Sequence, residues 1–273
     1  MKPGVYDGIT DADYHADKMS LSSSGARRLI EASPRKFRFE QDNPPAPKKA
    51  FEYGHAAHAL VLGVGAPLVE IPFDEWRTKE SKELVAAARA AGATPLKPVE
   101  FAKVHAMAAE LQKSPIAQRL FAKGVAEQSI WWDDPYTGVR LRARFDWRTL
   151  IGGRLVLVDY KSTIDAAPDE FAHSANKWGY YCQHAFYRDG AQQLGLDDDP
   201  GFIFIAQEKE PPYEVTAHQY GPDDIAFGHE LNQRAIRTFA DCMSSGVWPT
   251  YPPIIHDMRV SKWTRIKHEE SFA

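Results

Sequence analysis

The spacing of apolar residues changes part-way along the chain, near residue 125. Before that point the pattern is helical. Ser22-Ser23-Ser24 stands ahead of Gly25-Ala26-Arg27-Arg28-Leu29-Ile30, and serines there can cap the free N–H groups of a starting helix. Residues 42–47 hold Pro44, Pro45 and Pro47 and predict a loop. Residues 51–62 are Ala-rich and predict a buried helix, and residues 81–91 and 98–113 predict two surface helices.

Beyond residue 125 the period becomes that of strands. Residues 128–132 are β-prone, and Asp133-Asp134-Pro135-Tyr136-Thr137-Gly138 is a turn. Residues 139–148 alternate strictly. Val139, Leu141, Ala143, Phe145 and Trp147 should point one way; Arg140, Arg142, Arg144, Asp146 and Arg148 should point the other. After Gly152-Gly153, residues 155–161 are apolar almost to their end, as in a buried central strand. Residues 169–194 predict one helix, 202–206 and 213–220 two strands, and 223–243 a closing helix; from Trp248 onward the chain reads as irregular. This order predicts an α/β fold with a mixed central β-sheet flanked by helices. We expect a single domain over residues 1–273, with a helical part of about 1–125, a catalytic core of about 126–250 and a C-terminal tail.

Composition narrows the function. With 33 Lys+Arg against 37 Asp+Glu, the formal charge is −4. That balance argues against coating nucleic acid through bulk charge but leaves room for a local basic cleft. Cys182 and Cys242 are the only cysteines, which excludes a four-Cys zinc site or a cysteine-held iron–sulfur cluster within one chain. No apolar run reaches the roughly 18–20 residues of a membrane span, and Met1-Lys2-Pro3-Gly4 does not open a signal peptide. The expected compartment is the cytoplasm, with no membrane partner.

The chemistry concentrates at Val158-Asp159-Tyr160-Lys161. Residues two apart on a strand share a face, so Asp159 and Lys161 project together. A hairpin through Gly152-Gly153 can set Asp146 beside Asp159. Two carboxylates at the open end of a buried strand make a hard oxygen site suited to Mg²⁺. There a metal lowers the pKa of a bound water and polarises a phosphate. Lys161 can position or deprotonate that water. Arg142 and Arg144, on the Asp146 face, suit a phosphate-bearing substrate. Gln183 and Tyr187 are four apart on the following helix and share one side of it.

Together, Asp146, Asp159-Tyr160-Lys161 and Gln183-x-x-x-Tyr187 resemble the PD-(D/E)xK nucleases, in particular the RecB-like branch. The family's proline is replaced here by Phe145. Several short segments resemble the exonuclease VIII (RecE) nuclease domain: Tyr14-His15, Leu21-Ser22-Ser23-Ser24, Ser33-Pro34, Glu127 to Gly138, Gln183-His184-Ala185-Phe186-Tyr187 and Trp248-Pro249. The resemblance implies a restriction-endonuclease-like core and a nuclease that digests the 5′-ended strand of duplex DNA. It implies Mg²⁺ dependence, with Mn²⁺ as a substitute, and no need for ATP. It further implies a homo-oligomeric ring, tetramer or trimer, acting on double-stranded DNA ends with a single-strand annealing protein. By the same resemblance His58, with His55 as its rival, and Glu127 join Asp146, Asp159 and the Tyr160 carbonyl around the metal. Gln183 and Tyr187 would orient Lys161 or the scissile strand. Ser22, Ser24, Arg27 and Arg28, at a helix start, are candidates for holding a 5′ phosphate. The rival functions are another RecB-like or Cas4-like DNA nuclease or a structure-specific endonuclease, and a non-catalytic DNA-binding protein of the same fold.

Overall fold

The computed structural model describes the backbone of residues 1–44 and 49–270, and the side chains of these except 49–55, 267, 269 and 270. The N-terminal part runs β1 (Gly4–Tyr6), α1 (Asp11–Ala16), β2 (Leu21–Ser22), α2 (Ser23–Glu31), α3 (Pro34–Asp42), α4 (Lys49–Leu62), β3 (Leu68–Glu70), α5 (Lys79–Ala90), β4 (Thr94–Leu96), α6 (Pro98–Leu111) and α7 (Pro115–Phe121). The second part runs β5 (Gly124–Asp133), β6 (Arg140–Ile151), β7 (Arg154–Thr163), α8 (Pro168–Lys177), α9 (Tyr180–Gln193), β8 (Gly201–Glu208), β9 (Val215–His218), α10 (Pro222–Ser245) and α11 (Lys262–Glu270).

The main sheet has the order β1-β5-β6-β7-β8-β9, with β2 added in parallel to β6. β5, β6 and β7 form an antiparallel meander, and β7 pairs with β8 in parallel through α8 and α9. This is the mixed α/β sheet that the order of elements predicts. Each face carries its own apolar layer. Leu155 and Leu157 of β7 pack with Phe145, Phe186, Phe204 and Phe239 on the α2–α9–α10 side. Val156, Val158 and Tyr160 pack with Ala57, Val104 and Met107 on the α4–α6 side. Helices on both faces make β7 a central strand buried on both sides.

Three readings of the sequence are corrected here. The expected helix over residues 169–194 is two helices, broken at Gly179, whose φ of 63° is left-handed. The strand expected over residues 213–220 shortens to Val215–His218, and Tyr213 has a φ of 63°. The tail is not irregular throughout, because Lys262–Glu270 is helical.

The strict alternation of β6 also fails, at one place. Leu141, Ala143 and Phe145 face the α9 layer, but Trp147 lies in the other layer, against Phe121, and its indole N–H donates to the Leu120 carbonyl at 2.9 Å. The strand changes phase across Asp146. At the same level the β6–β7 ladder begins at Trp147↔Val158 and does not continue beyond it. From there β6 turns to β2, which pairs with Leu141 and Arg142, while β7 stays with β8. The sheet therefore forks at Asp146.

Candidate active site

Three carboxyl groups meet at the fork. The β5–β6 pairs Ala126↔Trp147 and Gln128↔Phe145 set Glu127 opposite Asp146, and Trp147↔Val158 sets Asp159 on the far side of Asp146. Glu127 and Asp146 are not joined by the ladder. Glu127 adopts a φ of 50°, a left-handed conformation that costs a non-glycine residue about 1–3 kcal/mol. In the slot between the parted strands, Asp146 Oδ2 accepts the Tyr160 backbone N–H at 2.9 Å.

Helix α4, on the opposite layer, brings His58 onto this pair. Its Nδ1 lies 3.2 Å from Glu127 Oε1 and its Nε2 lies 2.9 Å from Asp146 Oδ2. Burial works to lower the imidazole pKa, but Asp146 and Glu127 outweigh it and hold it at about 10. Burial likewise works to raise Asp146, and the His58 charge, its hydrogen bond and Lys161 bring the carboxyl below its ordinary value. The side chain of His55, the rival histidine, lies outside the described residues.

Asp159 is held from behind. Gln183 Nε2 donates to Asp159 Oδ1 at 2.5 Å, and Lys161 Nζ stands 2.5 Å from Oδ2. Burial, then the neighbouring Asp146, raises Asp159 to about 6 despite Lys161. Burial opposes the Lys161 charge, but Asp159 and Asp146 together push its pKa above the ordinary lysine value. Lys161 Nζ also sits 4.9 Å from the centre of the Tyr180 ring, and the Arg27 guanidinium lies 5.9 Å from the same ring. Tyr180 escaped the sequence reading. It lies three residues before Gln183, on the same side of α9, and that spacing is the signal that could have found it.

The donor set fits a divalent cation. One atom each from His58, Glu127 and Asp146 lies within 4.8 Å of the others, and the two carboxylates and one imidazole suit Mg²⁺ or Mn²⁺. Among the described residues this is the cluster with metal-ligand spacing, and Asp159 is not within it. A ligating histidine must be neutral, so a cation here displaces the proton that Glu127 and Asp146 keep on His58. Affinity for Mn²⁺ should therefore rise as pH increases from about 6 toward 10. Titration calorimetry in buffers of different ionisation enthalpy should detect about one proton released per ion at neutral pH. Affinity independent of pH across that range would contradict this assignment.

Several expected contacts are corrected. Gln183 reaches Asp159, not Lys161. The Tyr187 ring is wedged between Phe145 and Phe202, at 5.7 Å from each centre, and supports the fork from the apolar side. Arg142 and Arg144 are not open to a phosphate. Arg142 is buried and donates to Ser20 Oγ and to the Ser20 and Asp17 carbonyls. Arg144 pairs with Asp11 and donates to Ser129 Oγ and the Ile9 carbonyl, and both guanidiniums lie over the Tyr14 ring. Arg28 is clamped by Glu40 through two bonds of 2.6 Å. Ser22 caps α2, its Oγ accepting from the Gly25 N–H at 3.2 Å, and lies 3.1 Å from the exposed Ser24 Oγ. Arg27 donates to the Trp178 carbonyl at 3.2 Å and keeps its place beside Tyr180.

Comparison with known proteins follows this geometry. The family model described as "PDDEXK-like domain of unknown function (DUF3799)" matches residues 22–258. The chain belongs to this family. The matched range contains Phe145-Asp146 and Asp159-Tyr160-Lys161. The fold of this PDDEXK-like chain is similar to the crystal structure of a "Putative exonuclease" from Eubacterium rectale, at TM-score 0.62 and 14% identity over 93% of this chain and 96% of that one. The crystal structure of SSO0001 matches at TM-score 0.36 and 11% identity, over 81% of this chain and 77% of that one. No curated protein sequence matches the chain. Among the described residues, no helix of this PDDEXK-like domain is long and apolar enough to cross a membrane.

Proposed function

We propose that this chain is a metal-dependent DNA exonuclease of the RecE-like kind, digesting the 5′-ended strand of duplex DNA to leave 3′ single-stranded tails. The observation that supports it best is the rung of Glu127, Asp146 and Asp159, with His58 on one side and Lys161 on the other. Asp146, Glu127 and His58 would hold Mg²⁺, with Asp159 and the Tyr160 carbonyl completing the set. When bound, that ion lowers the pKa of a water and polarises the scissile phosphate. Lys161 offsets charge on the phosphate and holds the attacking water in line. Gln183 fixes the Asp159 carboxylate, and the Tyr160 N–H fixes that of Asp146. Arg27 and Ser24 remain the candidates for a 5′ phosphate.

In this reading residues 1–273 form one nuclease domain, and three or four copies close into a ring. The argument for a ring is electrostatic. A chain of net charge −4 holds DNA through local contacts alone, and such contacts weaken steeply with salt. A closed ring keeps hold of a threaded strand without them. An annealing protein would receive the 3′ tail, in the cytoplasm.

The test is digestion of linear duplexes labelled at one end, beside a covalently closed circle. Label at the 5′ end should be released first with Mg²⁺ or Mn²⁺, nothing should be released with EDTA, and the circle should survive. Cleavage of the circle at a comparable rate would replace the exonuclease reading with an endonuclease one. Light scattering on the same sample should give three or four times the 30.7 kDa of one chain.

A further inference from the structure

A groove of about 750 Å³ opens from Lys161 along α8 to the α8–α9 junction. Its lining includes His173, Lys177, Trp178, Tyr180 and Lys209 beside Lys161. At the junction stands Trp178, a residue 56% exposed although its backbone is anchored on both sides. Its N–H donates to the Ser174 carbonyl at 3.0 Å and its own carbonyl accepts from Arg27. The next residue, Gly179, is left-handed, and a Cβ there would come within 3.2 Å of Arg27 Cδ. The backbone that carries the indole is thus fixed on both sides. Lys177 Nζ lies 5.7 Å from the centre of its ring.

The charges of the groove are not all consumed. Among the described residues neither Lys177 nor Lys209 has a carboxylate partner within ion-pair distance. Two acids, Asp165 and Glu170, also line it. Asp165 already accepts the Ala167 N–H at 2.8 Å. An exposed flat ring beside cations, leading directly to the lysine of the site, matches one class of ligand. A base can stack on the indole only if its face is free, and inside a duplex both faces are covered by neighbouring pairs, while a terminal pair offers only its outer face. Stacking on an aromatic ring with phosphates followed by lysines is how proteins hold single strands.

We propose that this groove binds single-stranded DNA, with an unpaired base stacked on Trp178 and its phosphates followed by Lys177 and Lys209. The proposal rests on the nuclease reading and adds to it the path of the strand next to the scissile phosphate. The strand enters the site already parted from its complement, so Trp178 favours a frayed or single-stranded terminus over a paired one.

The test uses the full chain in EDTA, a fluorescein-labelled oligothymidylate and anisotropy. Trp178→Ala should weaken binding about 5- to 100-fold, the range for losing one base–aromatic stack. Trp178→Phe should recover a large part of it, with thermal melting of both variants as in the parent. Lys177→Ala and Lys209→Ala should each lower the slope of log affinity against log salt by about 0.7. If Trp178→Ala binds the oligonucleotide as the parent does, while the parent digests linear DNA with Mg²⁺, the groove assignment is overturned and the nuclease reading stands. A parent that digests duplexes but does not bind the single strand has the same consequence. If the parent neither binds nor digests DNA, the nuclease reading fails and the groove assignment fails with it.

Discussion

Asp146→Asn should abolish cation binding and DNA cleavage together, with cleavage falling at least about 10³-fold. Its carboxylate joins the histidine of the cluster to the backbone of β7. It accepts the Tyr160 N–H, pairs with His58 Nε2 and raises the pKa of Asp159 through its charge. The amide preserves shape but removes the charge that a cation needs; the Tyr160 N–H and His58 Nε2 both meet Oδ2, so an amide oxygen in that place can keep both contacts. With one of its two carboxylates neutralised, His58 should also titrate closer to its ordinary value, and less proton should be released on adding Mn²⁺. Calorimetry with Mn²⁺ and a digestion assay read both effects, and circular dichroism verifies the fold. Cation affinity within a factor of two of the parent would remove Asp146 from the metal site.

Lys161→Ala should cut turnover by about 10² or more while cation binding persists. The lysine is charged because Asp159 and Asp146 outweigh its burial. It touches Asp159 Oδ2 and not the His58–Glu127–Asp146 cluster, so its loss leaves the three closest ligand atoms in place. Removing its charge takes away the one influence from a lysine that lowers Asp159, so that carboxyl should rise above about 6. The pH at which activity reaches half its maximum should rise with it. Lys161→Arg keeps a charge but cannot serve as a proton acceptor, and should restore binding of substrate more than turnover. A loss of cation affinity with normal turnover per bound ion would make Lys161 a structural residue.

How far the chemistry was legible depends on the range of the interactions involved. Asp146, Asp159 and Lys161 could be set together from strand period and a short hairpin, since residues two apart share a face and a Gly-Gly turn reverses the chain. Gln183 followed from helical spacing and a family pattern, although its partner proved to be Asp159. The break in the 169–194 helix was carried by one residue, Gly179, and a single glycine inside a helical pattern leaves open whether the helix continues. Trp178 gave no signal, and Tyr180 only its spacing from Gln183, because an aromatic residue at helical spacing is most often part of a core.

The arginines of β6 are the clearest case where period alone misleads. Alternation correctly put Arg142 and Arg144 opposite the α9 layer, but it could not say that residues 9–20 return to cover them. Contacts separated by more than a hundred positions leave no trace in local spacing. Trp147 misled for a second reason: a strand that forks from its neighbour is free to change phase, and Asp146 lies at that fork. The sequence by itself determined the order of strands and helices, the α/β class and the residues able to bind a metal, because these depend on short periods and residue chemistry. Only the tertiary structure decided which acids meet His58, which arginines are spent on the N-terminal segment and where the sheet opens, because those outcomes depend on distant segments competing for the same buried partners.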